Sequence, residues 1–228
     1  MKNYCKYFSK KEIFLWALSI AFILVSFLLF DRNNYLTLVA SLIGATSLIF
    51  CAKGNPFGQF LMIIFGALYG IISWTFRYYG EMITYLGMTV PMAIVALISW
   101  LRNPYEKNKP EVKVNHLKLK EVVFMLLLSL VVTFLFYFVL KYFNTANLVF
   151  STISITTSFI AVYLTFRRSP FFALVYALND VVLIILWVFA SVVDISYVSV
   201  VVCFLVFLVN DLYGFYTWLK MEKRQKKN

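Results

Sequence analysis

Eight apolar blocks, each of 18 or more residues, leave this chain few ways to fold. They are Ile13–Phe30, Tyr35–Ala52, Phe57–Phe76, Met82–Leu101, Val122–Leu140, Leu148–Phe166, Pro170–Val193 and Ile195–Leu219. At about 1.5 Å per residue, each can span a hydrocarbon core roughly 30 Å thick. Lipid offers the backbone no hydrogen-bond partners, so only helices and closed barrels cross it. The blocks are too long and too evenly apolar for barrel strands, which alternate over about 10 residues. The sequence therefore predicts an all-α integral membrane protein with about eight transmembrane helices. Its 14% charged residues compare with about 25% in a soluble domain.

The net charge of +11 raises the question of nucleic acid, but its placement answers it. With a cytosolic N-terminus and all eight blocks spanning, one side holds 18 of the 21 Lys and Arg residues. The other side holds only Arg32, Arg77 and Lys141. This is the positive-inside pattern, and it predicts cytosolic N- and C-termini in the cell membrane. The basic tail 221–228 suits topology and anionic lipid contact, not nucleic acid. The first block follows four lysines and has no small-x-small cleavage site before Asp31, so it reads as a retained anchor helix.

Cys5, Cys51 and Cys203 fit no metal or redox spacing, and the lone His116 lies in the longest loop. No metal or other cofactor is expected. A membrane enzyme acting on lipids would need a His, Cys or metal-ligand cluster at the surface. No Gly-Lys-Ser/Thr phosphate loop is present, so the chain does not itself hydrolyse ATP.

The long connection Arg102–Glu121 contains Pro104 and Pro110 and reads as a cytosolic loop. Lys53-Gly-Asn-Pro56-Phe57 and Arg167-Arg168-Ser-Pro170-Phe171 form two similar basic corners 114 residues apart, four helices along. An offset of four spans makes these parallel repeats. The resulting parse is an N-terminal anchor helix (1–33), a three-helix unit (34–101), a loop and linking helix (102–143), a second three-helix unit (147–220) and the tail. Gly66 and Gly70, and Ser41 with Gly44-Ala45, mark close helix contacts. Pro91 predicts a kink in the fourth block.

Asn179-Asp180 and Asn210-Asp211 each sit near the middle of a block. A carboxylate at that depth costs roughly 2.5–3.5 kcal/mol on insertion scales unless it meets a cavity or a partner. Tyr176, Asp180, Leu183 and Trp187 share one helix face, bordered by Asn179. Asn210, Tyr213 and Thr217 share a face of the next helix, with Asp211 about 100° round. This mixture of amide, carboxylate and aromatic groups suits a small flat polar solute. Asn179, Asp180, Asn210, Asp211, Tyr176, Tyr213 and Trp187 are therefore the expected substrate-binding residues. The competing reading makes the Asn-Asp pairs glue between helices.

Three segments resemble the PnuC-type nicotinamide riboside transporters: Tyr78-Tyr79-Gly-Glu81-Met82-Ile-Thr84, the deep Asn179, and Asn210-Asp211-x-Tyr213-Gly214-Phe215-x-x-Trp218. The resemblance runs from about Tyr35 to near the end of the chain. It implies seven core helices arranged three-plus-one-plus-three, related to the SWEET fold, and a homotrimer. It also implies facilitated uptake of nicotinamide riboside, trapped by intracellular phosphorylation. Many such members carry two Trp residues seven and four positions before the helical Asn; here Phe172 and Val175 stand there. Thiamine, riboflavin and deoxynucleosides therefore stay open as solutes of the same mechanism. An integral-membrane enzyme or a structural membrane protein is the reading from another class.

Overall fold

The computed structural model describes residues 7–75, 79–107 and 109–227. Cys5, Phe76, Arg77 and Tyr78 lie outside them, as do Lys2 and Lys6 of the four N-terminal lysines, Asn108 of the long loop and Asn228 of the tail. Among the described residues eight helices are long and apolar enough to cross a membrane. They are α1 Lys10–Phe30, α2 Tyr35–Ala52, α3 Pro56–Thr75, α4 Tyr79–Arg102, α5 Leu119–Tyr142, α6 Leu148–Phe166, α7 Phe171–Val193 and α8 Val198–Gln225. The all-α membrane architecture expected from the apolar blocks is the one found.

Differences from the apolar blocks have local causes. α1 starts three residues early because Ser9 and Glu12 form a capping box, each side chain accepting from the other's backbone N–H. α4 contains a π-turn over Tyr85–Thr89, just before Pro91. Proline lacks the N–H for the preceding turn and crowds its carbonyl, so the ladder widens there. α8 continues six residues past Leu219, absorbing most of the expected tail. Its last turn is engaged by the long loop. Gln225 accepts from Val114 N at 2.8 Å and donates to Glu111 at 2.8 Å; Arg224 pairs with Glu111, and His116 lies 3.0 Å from Glu222. Gly66 and Gly70 face α4: a Cβ on Gly70 would sit 2.6 Å from Leu86 side-chain atoms.

The helix contacts have a hidden order. α1 packs on α2 and α8, α2 on α3 and α8, and α3 on α4. α4 packs on α6, α5 on α6 and more lightly on α4, α6 on α7, and α7 on α8. Advancing every helix by four places turns this set of contacts into itself, with α5–α8 returning to α1–α4. The basic corners repeat in the same way. Gly54 N bonds to Cys51 O and Asn55 N to Phe50 O; Arg168 N bonds to Thr165 O and Ser169 N to Leu164 O. Each pair closes its helix in the left-handed C-terminal manner. Lys53 pairs with Glu12 of α1 at 3.2 Å, and Arg167 pairs with Glu121 of α5. Both glutamates lie in the first turn of their helices.

Candidate functional site

A cavity of about 80 Å³ lies between mid-depth and the end of the bundle opposite the basic corners. α7 supplies Tyr176, Asn179 and Asp180; α8 supplies Phe207 and Asp211; α6 supplies Ser154 and Ser158. α3 contributes Met62 and Phe65, and α4 contributes Glu81, Thr84, Tyr85 and Thr89. Glu81 and Thr84 lie just before the π-turn and Tyr85 and Thr89 within it, where the widened register re-aims side chains. Phe65 and Phe207 pack together as an aromatic wall, their ring centroids 5.6 Å apart, and the rest of the lining adds amide, hydroxyl and carboxyl groups.

The Asn179 amide is fixed by α6. Its Oδ1 accepts from Thr157 at 2.7 Å, Ser154 at 3.2 Å and Ser158 at 3.2 Å. Asp180 and Asp211 approach each other across the α7–α8 contact, and both are nearly fully buried. No hydroxyl or amide donor reaches Asp180 Oδ2. Glu81 lines the outer part of the same cavity. Among the described residues no Lys, Arg or His lines it. Three carboxyl groups thus line the space with no basic partner among the described residues. Among the described residues no group of three His, Cys, Asp or Glu side chains is gathered to hold a metal.

Of the seven residues singled out in the sequence, the structure brings four together at the cavity: Tyr176, Asn179, Asp180 and Asp211. The other three lie elsewhere. Asn210 is turned toward α1 and donates to Ser19 Oγ at 2.9 Å and to Val206 O at 2.8 Å. Tyr213 lies beside Ser9 and Glu12. Thr217, on the same face, donates to Ala52 O of α2 at 2.8 Å. The shared face of Asn210, Tyr213 and Thr217 is real, but it packs on α1 and α2. Asp211, a hundred degrees round, is the residue that meets the cavity. Trp187 shares its face with Asp180 but sits about 10 Å further along α7. It lines a smaller outer pocket with Asp31, Tyr69 and Tyr197.

The hydroxyl cluster on α6 and the aromatic wall are not among those seven residues. A signal for the first was present: six of the eight residues Ser151–Ser158 carry hydroxyls within an otherwise apolar block. Phe65 and Phe207 carried no such signal, since aromatics make up 19% of the chain.

Known proteins share this fold. A crystal structure described as the vitamin B3 transporter PnuC superposes with a TM-score of 0.82 over 96% of this chain and 94% of that one, at 22% identity. A nicotinamide riboside transporter PnuC of Neisseria mucosa is 25% identical over 227 residues, covering 94% of this chain and 86% of the relative. One from Haemophilus influenzae is 23% identical over 193 residues, covering 84% and 82%. The profile of the nicotinamide mononucleotide transporter family matches residues 34–220, from the start of the second helix through the aromatic end of the last span. With that match over most of its length, the chain is a multi-pass membrane protein of the nicotinamide mononucleotide transporter family.

Proposed function

We propose that the chain takes up nicotinamide riboside, or a similar NAD-precursor nucleoside, across the cell membrane. The carrying observation is a cavity that joins aromatic rings to Glu81, Asp180 and Asp211, with no basic residue among the described ones that line it. The nicotinamide ring of the riboside is a flat cation. Aromatic faces attract such a ring, and buried carboxyl groups balance its charge. Asn179 and the α6 hydroxyls supply hydrogen bonds for ribose or carboxamide. Riboflavin and deoxynucleosides carry no comparable cationic ring. Thiamine does, and it is the second reading for that reason.

In this reading Tyr176, Asn179, Asp180 and Asp211 contact the solute, joined by Glu81 and Tyr85. Asn210 ties α8 to α1 and thereby aims Asp211; Tyr213 and Trp187 support from outside the cavity. The solute moves down its own gradient, and phosphorylation in the cytosol traps it. The 18-to-3 division of basic residues supports cytosolic termini. The residues 34–101 and 147–220 act as two three-helix units joined by 102–143, with 1–33 as an added helix; the fourfold shift in the contacts supports this division. By resemblance the protein works as a homotrimer.

Ligand-induced thermal shift with purified protein tests the solute directly. Nicotinamide riboside should stabilise most, thiamine less, and riboflavin and deoxynucleosides not at all. Stabilisation by a neutral nucleoside alone would replace this reading with another solute.

A further inference from the structure

We infer that Trp100 and Trp218 form the gate at the basic end of the solute pathway, closed in this structure by a doubled set of hydrogen bonds between the two halves of the molecule. The inference rests on the transport reading but not on the identity of the solute.

Both indoles are wholly buried, with ring centroids 5.3 Å apart. Phe172 packs against each, at 6.1 Å and 4.9 Å. Each tryptophan reaches into the opposite half. Trp100, near the end of α4, donates from Nε1 to Thr165 O at 2.8 Å, while its neighbour Ser99 donates to Phe166 O at 2.8 Å. Trp218, near the end of the apolar part of α8, donates to Cys51 O at 2.8 Å, while its neighbour Thr217 donates to Ala52 O at 2.8 Å. The accepting carbonyls belong to the last residues of α6 and α2, 114 positions apart. Helix ends leave such carbonyls without intrahelical partners. The repeat thus uses them twice in the same way, once in each half.

The location makes this contact a gate. Trp218 lies seven residues beyond Asp211 on α8, about 10 Å nearer the basic end. Phe172 lies one turn before Tyr176, which lines the cavity. A solute leaving the cavity toward the basic end meets the Trp100–Phe172–Trp218 cluster. The long loop seals it from outside: Val112 is wholly buried in the same cluster and its N–H bonds to Gly54 O at 2.9 Å. Because each half holds the other, the two sets of bonds must part together. That favours an open or shut contact over a graded one.

The test is accessibility measured separately from each side. Val162→Cys, on the cavity wall, is introduced with Cys5, Cys51 and Cys203 changed to Ala, and labelled by a membrane-impermeant thiol reagent in vesicles of either orientation. Trp100→Phe and Trp218→Phe keep the ring and lose the N–H donor. Each should raise labelling from the basic end up to about tenfold, the weight of one lost hydrogen bond at the upper end of its usual range, and leave labelling from the other end unchanged. Equal gains from both ends would mean general loosening, and unchanged labelling would mean no gate; either overturns the inference. A second arm uses Trp100→Cys/Trp218→Cys: when cross-linked it should still bind solute but not release it at the basic end, with reduction restoring release. Release from the cross-linked form at the reduced rate would likewise overturn it.

Discussion

Gly54 and Arg168 stand 114 residues apart and share one unusual backbone conformation, with φ of +64° and +57°. Each follows the last turn of a helix and precedes a proline two residues on. At Gly54 this left-handed turn costs little; at Arg168 the strain is offset by bonds from its guanidinium to Ser99 Oγ at 2.8 Å and Lys113 O at 3.1 Å. The molecule therefore repeats a corner, not merely a count of helices.

Gly54→Ala should destabilise the protein by about 1–2 kcal/mol, the cost of a Cβ in the left-handed region. The added carbon would also sit 3.1 Å from Met221 and 3.2 Å from Val112. Thermal unfolding in detergent measures it, and an unchanged melting temperature would mean the corner carries no strain.

The corner also explains the first helix. Glu12 and Glu121 occupy the same turn of α1 and α5 and hold Lys53 and Arg167. Glu12→Gln keeps the capping geometry and drops the ion pair, whose glutamate is only 8% exposed. A loss of about 1 kcal/mol is expected, matched in Glu121→Gln. The charge swap Glu12→Lys/Lys53→Glu should recover part of it, which unfolding of the three variants would reveal.

The two asparagines should part company. Asn179→Leu removes a group fixed at the cavity, and binding should weaken by about 1–3 kcal/mol, roughly 5–150-fold. Asn210→Leu breaks the bond to Ser19 and should lower the melting temperature while weakening binding less. Calorimetric titration of both variants decides it; equal losses of affinity would bring Asn210 back into contact with the solute.

At the turn between α7 and α8, Asp194 accepts from Ser196 N at 2.9 Å. The Ser196 backbone bond, then its hydroxyl, holds this carboxyl below the usual range. A depressed folded value means the stability it adds is present above about pH 4, its unfolded value, and fades as pH falls through the folded one. Asp194→Ala should therefore lower the melting temperature at pH 7 and make less difference near pH 3. An effect independent of pH would show that the carboxylate charge is not involved.

The fold was legible because lipid enforces it. Tyr35–Ala52 and Leu148–Phe166 were bounded to the residue by composition alone, since polar residues, Asn34 and Asn147 at one end and Lys53 and Arg167 at the other, begin where the hydrocarbon ends. The site was legible only in part. Spacing of four and three put Tyr176 and Asp180 on one face, and that face does meet the cavity. Periodicity cannot say what a face meets, so Asn210 and Tyr213 were grouped with the site although α1 covers them. Nor does it report depth, which separates Trp187 from Asp180. The aromatic wall of Phe65 and Phe207 arises from contacts between helices far apart in sequence.

The central claim is that this cavity carries a cationic nucleoside through the membrane. Purified protein in liposomes, given labelled nicotinamide riboside outside and no ATP, tests it most directly. Uptake should be saturable, stop at equal concentrations inside and out, compete with unlabelled riboside, and fall at least about fivefold in Asn179→Leu. Uptake no greater than in empty liposomes, or undiminished in Asn179→Leu, would contradict it.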